Sequence, residues 1–216
     1  MNRITFLTGY YGSGKTEIAI NLAIIKRANV VVDLDVINPY FRSREQVALL
    51  KSHQVEVLSN QLKDGMYADL PFIGGEVYRP FLDESITAIY DLGGNDLGAK
   101  LLQQFGDYCV NTPVDLFLVV NPFRMETSSV EQVIKLITKI EATGQIEITG
   151  LINNTNLLKE TTVENLIEGD TFLRQASKET NKAIVYTIIE KSLLPIDYTF
   201  AGEVIPFTRY FQTSWN

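Results

Sequence analysis

Gly9-Tyr10-Tyr11-Gly12-Ser13-Gly14-Lys15-Thr16 matches the phosphate-binding template G-x-x-x-x-G-K-[ST] at every fixed position. The apolar run Ile4–Leu7 precedes it and a helical pattern over Glu17–Arg27 follows, which is the strand–loop–helix order that the template requires. Glycine permits backbone conformations that are barred to other residues, so successive N–H groups can converge on phosphate oxygens. The sequence therefore predicts a nucleoside triphosphate site in this loop.

The residues of the loop have separate predicted tasks. Gly9, Gly12, Ser13 and Gly14 form the cradle of backbone N–H groups, and the start of the following helix adds its positive dipole end. Lys15 would reach the β- and γ-phosphates and neutralise developing charge, while the Thr16 hydroxyl would ligate Mg²⁺. The alternative is a glycine-rich turn with an incidental lysine.

Length and composition restrict the class of protein. The 216 residues, 45% of them hydrophobic, predict one globular domain over residues 1–216. A single cysteine, Cys109, excludes an internal disulfide and a multi-cysteine metal cluster within one chain, and it suits a reducing cytosol. A net charge of −7 argues against broad capture of nucleic acid. No transmembrane stretch or secretory signal is expected, so the predicted location is cytoplasmic.

Short β-branched runs alternate with helical patterns along the chain, which is typical of an α/β protein. The predicted fold is three-layered, with a mainly parallel central sheet between helices. Predicted strands cover Arg3–Leu7, Asn29–Leu34, Val55–Leu58, Thr87–Asp91, Asp115–Val120, Glu147–Ile152 and Ala183–Ile188. Predicted helices cover Lys15–Arg27, Arg44–Ser52, Leu97–Phe105, Thr127–Thr143 and Val163–Lys178.

Four further patterns concern helix ends and irregular segments. Gly144 is the expected stop of the fourth helix, and Thr161 or Thr162 the expected cap of the fifth. The segment Asn60–Asp83 is expected to be a long loop with at most one helix. The aromatic segment Pro206–Trp215 is expected to be a strand or turn docked on the core, with a partner surface as the alternative.

Two acidic segments end predicted strands, where ligands gather in open α/β sheets. Asp91, followed by a glycine pair that includes Gly94, suits a carboxylate on the magnesium side with a backbone N–H near the γ-phosphate. Asp33 either caps its strand or faces the site, and Asp35 lies further out in the loop or is solvated.

The order of these motifs, followed by Gly150-Leu151-Ile152-Asn153-Asn154, resembles the SIMIBI class of P-loop NTPases over nearly the whole chain. It looks most like the MinD/ParA/nitrogenase-iron-protein ATPases. That resemblance implies ATP and Mg²⁺ as ligands, and Asp35 as the residue that positions the attacking water. It also implies that Asp91 holds magnesium through a water, that Gly94 senses the γ-phosphate and that Asn154 hydrogen-bonds the adenine.

The chain departs from that family at Tyr10. The family pattern carries a lysine there, which crosses a dimer interface to the partner's nucleotide. A homodimer of this chain would need another cation, for which Arg42 and Arg44 are candidates; both are otherwise ordinary surface charges.

Other functions of the same fold stay open. A GTP-driven metallochaperone would read guanine with Asn-Lys-x-Asp, whereas Asn153-Asn154-Thr155-Asn156 lacks both the lysine and the carboxylate, which favours ATP. A small-molecule kinase or ligase would need a substrate pocket, built from Asn60–Glu76 or from Asn121–Arg124; Arg124 would bind an anion there or simply lead into the next helix. A regulatory module would hold ATP without turnover. The prediction we carry forward is a Mg·ATP-hydrolysing switch that acts on an unidentified protein partner or substrate.

Overall fold

A computed structural model describes residues 1–35, 44–59, 74–94 and 96–210, with only the backbone of residues 44, 45 and 96. The described strands form one eight-stranded sheet in the order β3-β2-β4-β1-β5-β6-β7-β8, and all neighbouring strands are parallel. The strands are β1 Ile4–Gly9, β2 Val30–Leu34, β3 Glu56–Ser59, β4 Ala88–Leu92, β5 Val114–Val120, β6 Gly150–Asn153, β7 Ile184–Glu190 and β8 Glu203–Phe207.

Seven helices connect these strands within the described residues. They are α1 Lys15–Ile25, α2 Arg44–Ser52, α3 Arg79–Leu82, α4 Asp96–Gln103, α5 Gly106–Asn111, α6 Val130–Gly144 and α7 Val163–Thr180. Short 3-10 turns cover Gly75–Tyr78, Met125–Thr127, Leu158–Glu160 and Lys191–Leu193. None of the described helices combines the length and the apolar character needed to cross a bilayer.

Helices cover both faces of the sheet. Along β1, Phe6 points into a core shared with α4, α6 and α7, whereas Leu7 points into a second core shared with α1 and α2. Strands buried on both faces are apolar throughout, and for this reason the central strands lack a polar–apolar alternation. The predicted three-layer α/β architecture with a parallel sheet is confirmed.

Several predicted boundaries need correction. Helix α6 begins at Val130, after a 3-10 turn and a capping box between Ser129 and Gln132, rather than at residue 127. Its left-handed end residue is Gln145 (φ 55°), not Gly144. Gly144 is instead a packing position, since a Cβ there would lie 2.7 Å from a Leu102 methyl group. The predicted cap of α7 at Thr162 is confirmed by its capping box with Asn165.

The strand β8 lies at an edge of the sheet, and its start at Glu203 was missed because the expected strand or turn began only at Pro206. Pro206 interrupts its strand signal, but a residue without an N–H is tolerated at a sheet edge. The chain after β8 docks on α1, where the Asn21 amide donates to the Thr208 carbonyl (2.9 Å) and accepts from the Thr208 N–H (2.8 Å). The prediction of a strand or turn docked on the core is thus confirmed for residues 206–210, of which 206 and 207 belong to β8; residues 211–215 lie outside the described part.

The segment expected to be a long loop contains helix α3 and the preceding 3-10 turn in its described portion, residues 74–83. The small helix α5 was not predicted, because its sequence Gly-Asp-Tyr-Cys-Val-Asn carries little helical periodicity. Residues 60–73 and Arg42 lie outside the described residues.

Strand order determines where a ligand can bind. The chain moves from β4 on one side of β1 to β5 on its other side, so the carboxyl end of β1 lies at a topological switch point. The loop that follows β1 is the glycine-rich motif, and the ends of β2, β4, β5, β6 and β7 lie at the same edge.

Candidate nucleotide site

The glycine-rich loop adopts backbone conformations that its glycines make possible. Gly12 (φ 74°) and Gly14 (φ 91°) lie in the left-handed region, and Gly14 precedes the first residue of α1. The Ser13 N–H donates to the Tyr10 carbonyl (3.2 Å), which closes the turn. The loop therefore curls over the N-terminus of α1, the arrangement that binds anions in other folds.

The side chain of Lys15 is buried at the centre of the loop. It is 6% exposed, and its Nζ donates to the Tyr10 carbonyl oxygen at 3.0 Å. Burial lowers the pKa of the ammonium group, while the charges of Asp91 and Asp35 act in the opposite direction. The Lys15 ammonium group therefore lies within the loop. To bind an anion there, it would give up only its hydrogen bond to the Tyr10 carbonyl oxygen.

Thr16 and Asp91 form the second polar contact of the site. The Thr16 hydroxyl donates to Asp91 Oδ2 at 2.6 Å, and Asp91 Oδ1 is buried without a hydrogen-bond partner. Desolvation raises the pKa of Asp91 to about 7, although Lys15 and the Thr16 hydroxyl both lower it. A buried carboxylate oxygen without a partner beside a hydroxyl is a donor set that suits Mg²⁺.

The acidic residues after β2 differ in position. Asp33 accepts the Asp35 N–H at 3.0 Å and so turns the chain at the end of the strand, as the capping interpretation predicted. Asp35 lines the cavity beside the glycine-rich loop. Within the described residues, no group of three or more His, Cys, Asp or Glu side chains could hold a metal by itself.

The loop after β4 is pressed against the glycine-rich loop through Gly94. A Cβ at this position would lie 2.6 Å from the Tyr11 backbone nitrogen and 2.7 Å from Lys15 Nζ. Only a glycine fits so close to the loop backbone. The structure therefore brings Gly94 to the residues predicted to hold the phosphates.

The loop after β6 contacts the other side of the glycine-rich loop. Asn154 is buried, and its Nδ2 donates to the Ser13 carbonyl oxygen at 2.6 Å. A Cβ on Gly14 would lie 2.3 Å from the same Nδ2, so this glycine makes room for the amide. Asn154 is thus a brace of the loop, a contact that the sequence did not predict.

A cavity of about 480 Å³ extends from the loop towards β8. Near the loop it is lined by Lys15, Thr16 and Asp35. Its far end is lined by apolar side chains and by an ion pair between Arg209 and Glu190 (3.0 Å). An apolar end opposite a polar, phosphate-binding end matches the two halves of a nucleotide.

Three lining residues were not assigned to the site by the sequence. Glu190 and Arg209 lie at the ends of β7 and β8, and the second of these strands had not been recognised. Arg124, expected either to bind an anionic substrate or to lead into the next helix, extends its side chain over Gly12 and into the cavity. The position of Arg124 directly after β5 could have indicated a site residue, because ligands bind at the carboxyl ends of the strands in such sheets.

Solved structures with the same fold are known, although their sequences differ greatly from this one. No protein-family model matches the chain, and no curated protein matches it. Among solved structures, the signal recognition particle receptor FtsY from Elizabethkingia anophelis superposes with a TM-score of 0.53 at 14% identity, over 88% of this chain and 59% of that one. Chloroplast FtsY from Physcomitrella patens gives 0.53 at 14%, over 85% and 57%.

A second structure of the Elizabethkingia anophelis receptor, in complex with GDP, gives a TM-score of 0.50 at 15% identity. The chain spans less than two thirds of each of these proteins. Likeness at this identity establishes the fold, and the narrower resemblance to MinD and ParA stays a prediction. This chain has the fold of these FtsY structures, which agrees with the resemblance to the SIMIBI class that its motifs indicated.

Proposed function

We propose that this chain is a single P-loop domain that binds Mg²⁺ and ATP, hydrolyses the γ-phosphate and acts as a nucleotide switch on a protein partner. One observation carries the proposal. Three separate parts of the chain meet here through contacts with the glycine-rich loop or with each other: Lys15 and Thr16 at the start of α1, Asp91 and Gly94 at and after the end of β4, and Asn154 after β6. Such a convergence is not needed to stabilise the sheet, which is held by its two apolar cores.

The phosphate chain is bound by the loop and by Lys15. The backbone N–H groups at the start of α1 point towards the cavity end of the helix, and Lys15 supplies a charge from the inner side of the loop. Removing Lys15 therefore leaves the phosphates without their principal charge partner.

Thr16 and Asp91 would hold Mg²⁺, which on binding withdraws charge from the phosphate oxygens. Asp91 is suited to this because one of its oxygens is buried without a partner in the absence of a cation. Asp35 lines the same cavity and is the residue we assign to orientation of the attacking water.

The base is read by Asn154, whose two amide atoms have different tasks. Its Nδ2 is committed to the Ser13 carbonyl, since at 2.6 Å only the nitrogen can face that oxygen. Its Oδ1 is left as an acceptor. An acceptor pairs with the exocyclic amino group of adenine and repels the carbonyl oxygen that guanine carries at the same ring position, so ATP is preferred.

A guanine nucleotide is the second candidate, because of Glu190 at the far end of the cavity. A carboxylate accepts from the N1 and N2 hydrogens of guanine, and the receptor structure from Elizabethkingia anophelis is a GDP complex. Against this, the carboxylate of Glu190 is paired with Arg209. Competition of unlabelled ATP and GTP for a fluorescent nucleotide separates the two candidates.

Switch behaviour is supported by the contact of Gly94. The loop after β4 lies against Tyr11 and Lys15, so a phosphate group entering between them displaces that loop. A partner or a second copy of the chain would read this movement. Light scattering with and without a non-hydrolysable ATP analogue tests the homodimer.

The decisive test of hydrolysis compares the wild type with Asp35→Asn. We expect steady phosphate release from Mg·ATP by the wild type, and a decrease of about 100-fold or more in the variant at unchanged ATP affinity. Asp107→Asn, an exposed change on α5, is the matched control. ADP formation that requires an added small-molecule acceptor would instead identify a kinase, and ATP binding without turnover would identify a regulatory module.

A further inference from the structure

Arg124 has a position that its sequence context does not explain. The residue lies in the loop after β5, and its guanidinium Cζ and Nε lie 3.7 Å from the place that a Cβ on Gly12 would occupy. It also lines the cavity together with Lys15 and Thr16. Its side chain therefore lies beside Gly12 of the glycine-rich loop and faces the same cavity as Lys15.

The loop that carries Arg124 is fixed by buried polar side chains. Asn121 is fully buried; its Oδ1 accepts the Phe123 N–H (3.1 Å), and its Nδ2 donates to the Asn156 carbonyl (3.0 Å). The Thr127 hydroxyl donates to the Asn121 carbonyl at 2.7 Å. These bonds hold the backbone of Arg124 at the rim of the cavity, so its position does not depend on the side chain itself.

Arg124 differs from the other cations of the cavity in its partners. Arg209 is paired with Glu190, and Lys15 is hydrogen-bonded to a loop carbonyl under the influence of two carboxylates. In the part of the chain that the structure describes, no hydrogen bond or ion pair engages the Arg124 guanidinium. A planar group with five donors beside a phosphate-binding loop has the chemistry to bind phosphate oxygens.

We infer that Arg124 is a phosphate-contacting residue supplied in cis, which binds the triphosphate together with Lys15. The inference rests on the proposed function. A triphosphate keeps negative charge after it binds one Mg²⁺, and two cations in the lining of one cavity balance that charge better than one. A guanidinium that needs no partner chain also allows the nucleotide to be held by a monomer.

The test is a set of nucleotide titrations on the whole chain. We expect Arg124→Gln to weaken Mg·ATP binding by about 10- to 100-fold, the range for loss of a charge-assisted hydrogen bond. Arg124→Lys keeps the charge without the fork and should recover part of the loss. Met125→Ala, an exposed neighbour in the same loop, and Lys135→Gln, an exposed charge on α6, should bind like the wild type.

A second measurement separates binding from folding. If Arg124 contacts phosphate, Arg124→Gln keeps the nucleotide-free unfolding midpoint and loses most of the ATP-induced increase. If Arg124→Gln binds ATP with wild-type affinity, the inference about Arg124 is overturned and the proposed function is not affected. A lowered nucleotide-free midpoint with an unchanged ATP-induced increase also overturns it, in favour of a packing role. Absence of ATP binding by the wild type removes the proposed function itself.

Discussion

Replacement of Asn154 by alanine perturbs the glycine-rich loop without touching its own residues. The change removes the 2.6 Å hydrogen bond from Asn154 Nδ2 to the Ser13 carbonyl oxygen. Because Ser13 is buried, its carbonyl oxygen then loses its side-chain donor. An unsatisfied buried acceptor costs about 1–3 kcal/mol. We expect the free energy of unfolding to fall by that amount, as measured by urea denaturation without nucleotide.

The same change should alter the choice of nucleotide. Loss of the Oδ1 acceptor removes the contact that we assign to the adenine amino group, worth about tenfold in ATP affinity. GTP, whose carbonyl oxygen that acceptor repels, should lose no affinity when the acceptor is removed, so the ATP:GTP affinity ratio falls. The Asn154→Asp variant should bind ATP more weakly than Asn154→Ala, because its carboxylate would face the Ser13 carbonyl oxygen and the phosphates.

Competition titrations with ATP and GTP measure this ratio, and Asn111→Ala, at the exposed end of α5, is the matched control. An unchanged ratio together with an unchanged stability would refute both tasks of Asn154. A lower stability with an unchanged ATP:GTP affinity ratio would support the contact of Asn154 with Ser13 and refute its contact with the adenine base.

Three further predictions concern other parts of the molecule. Gly94→Ala should weaken nucleotide binding at least tenfold while the circular dichroism spectrum is kept, because the new methyl group would meet the Tyr11 backbone nitrogen at 2.6 Å; wild-type affinity would contradict this contact. Asp170→Ala should lower the urea unfolding free energy by about 2–4 kcal/mol, since this fully buried carboxylate accepts from Arg174, Tyr198 and the Ala201 N–H; a change below about 0.5 kcal/mol would disprove its role. Cys109 should react with iodoacetamide at pH 8 about 100-fold more slowly than free cysteine, because burial raises the pKa of its thiol to about 11; reaction at the free rate would show that the thiol is not shielded.

Much of the fold was predictable because its signals are local. The glycine-rich motif lies between a strand and a helix, and the apolar runs that form the central strands are short and bounded by turn residues. Helix α2 was predicted with the observed bounds, Arg44–Ser52. Local patterns of this kind do not depend on what the segment later packs against.

What was missed depends on long-range contacts. Strand β8 is short and contains Pro206, and its pairing with β7 becomes visible only in the assembled sheet. Asn154 was expected to face a base, but its contact with Ser13 joins residues 141 positions apart. For Arg124 the sequence left anion binding and helix entry both open, and its cavity position follows from the bonds of Asn121.

Lys15 provides the most direct test of nucleotide binding. Calorimetric titration of Mg·ATP into the wild type should give saturable binding, and the same titration of Lys15→Ala should give no detectable heat at the same concentrations. Lys135→Gln, which removes an exposed charge on α6, should bind like the wild type. Absence of binding by the wild type, or equal ATP affinity in Lys15→Ala, would contradict the assignment of the loop.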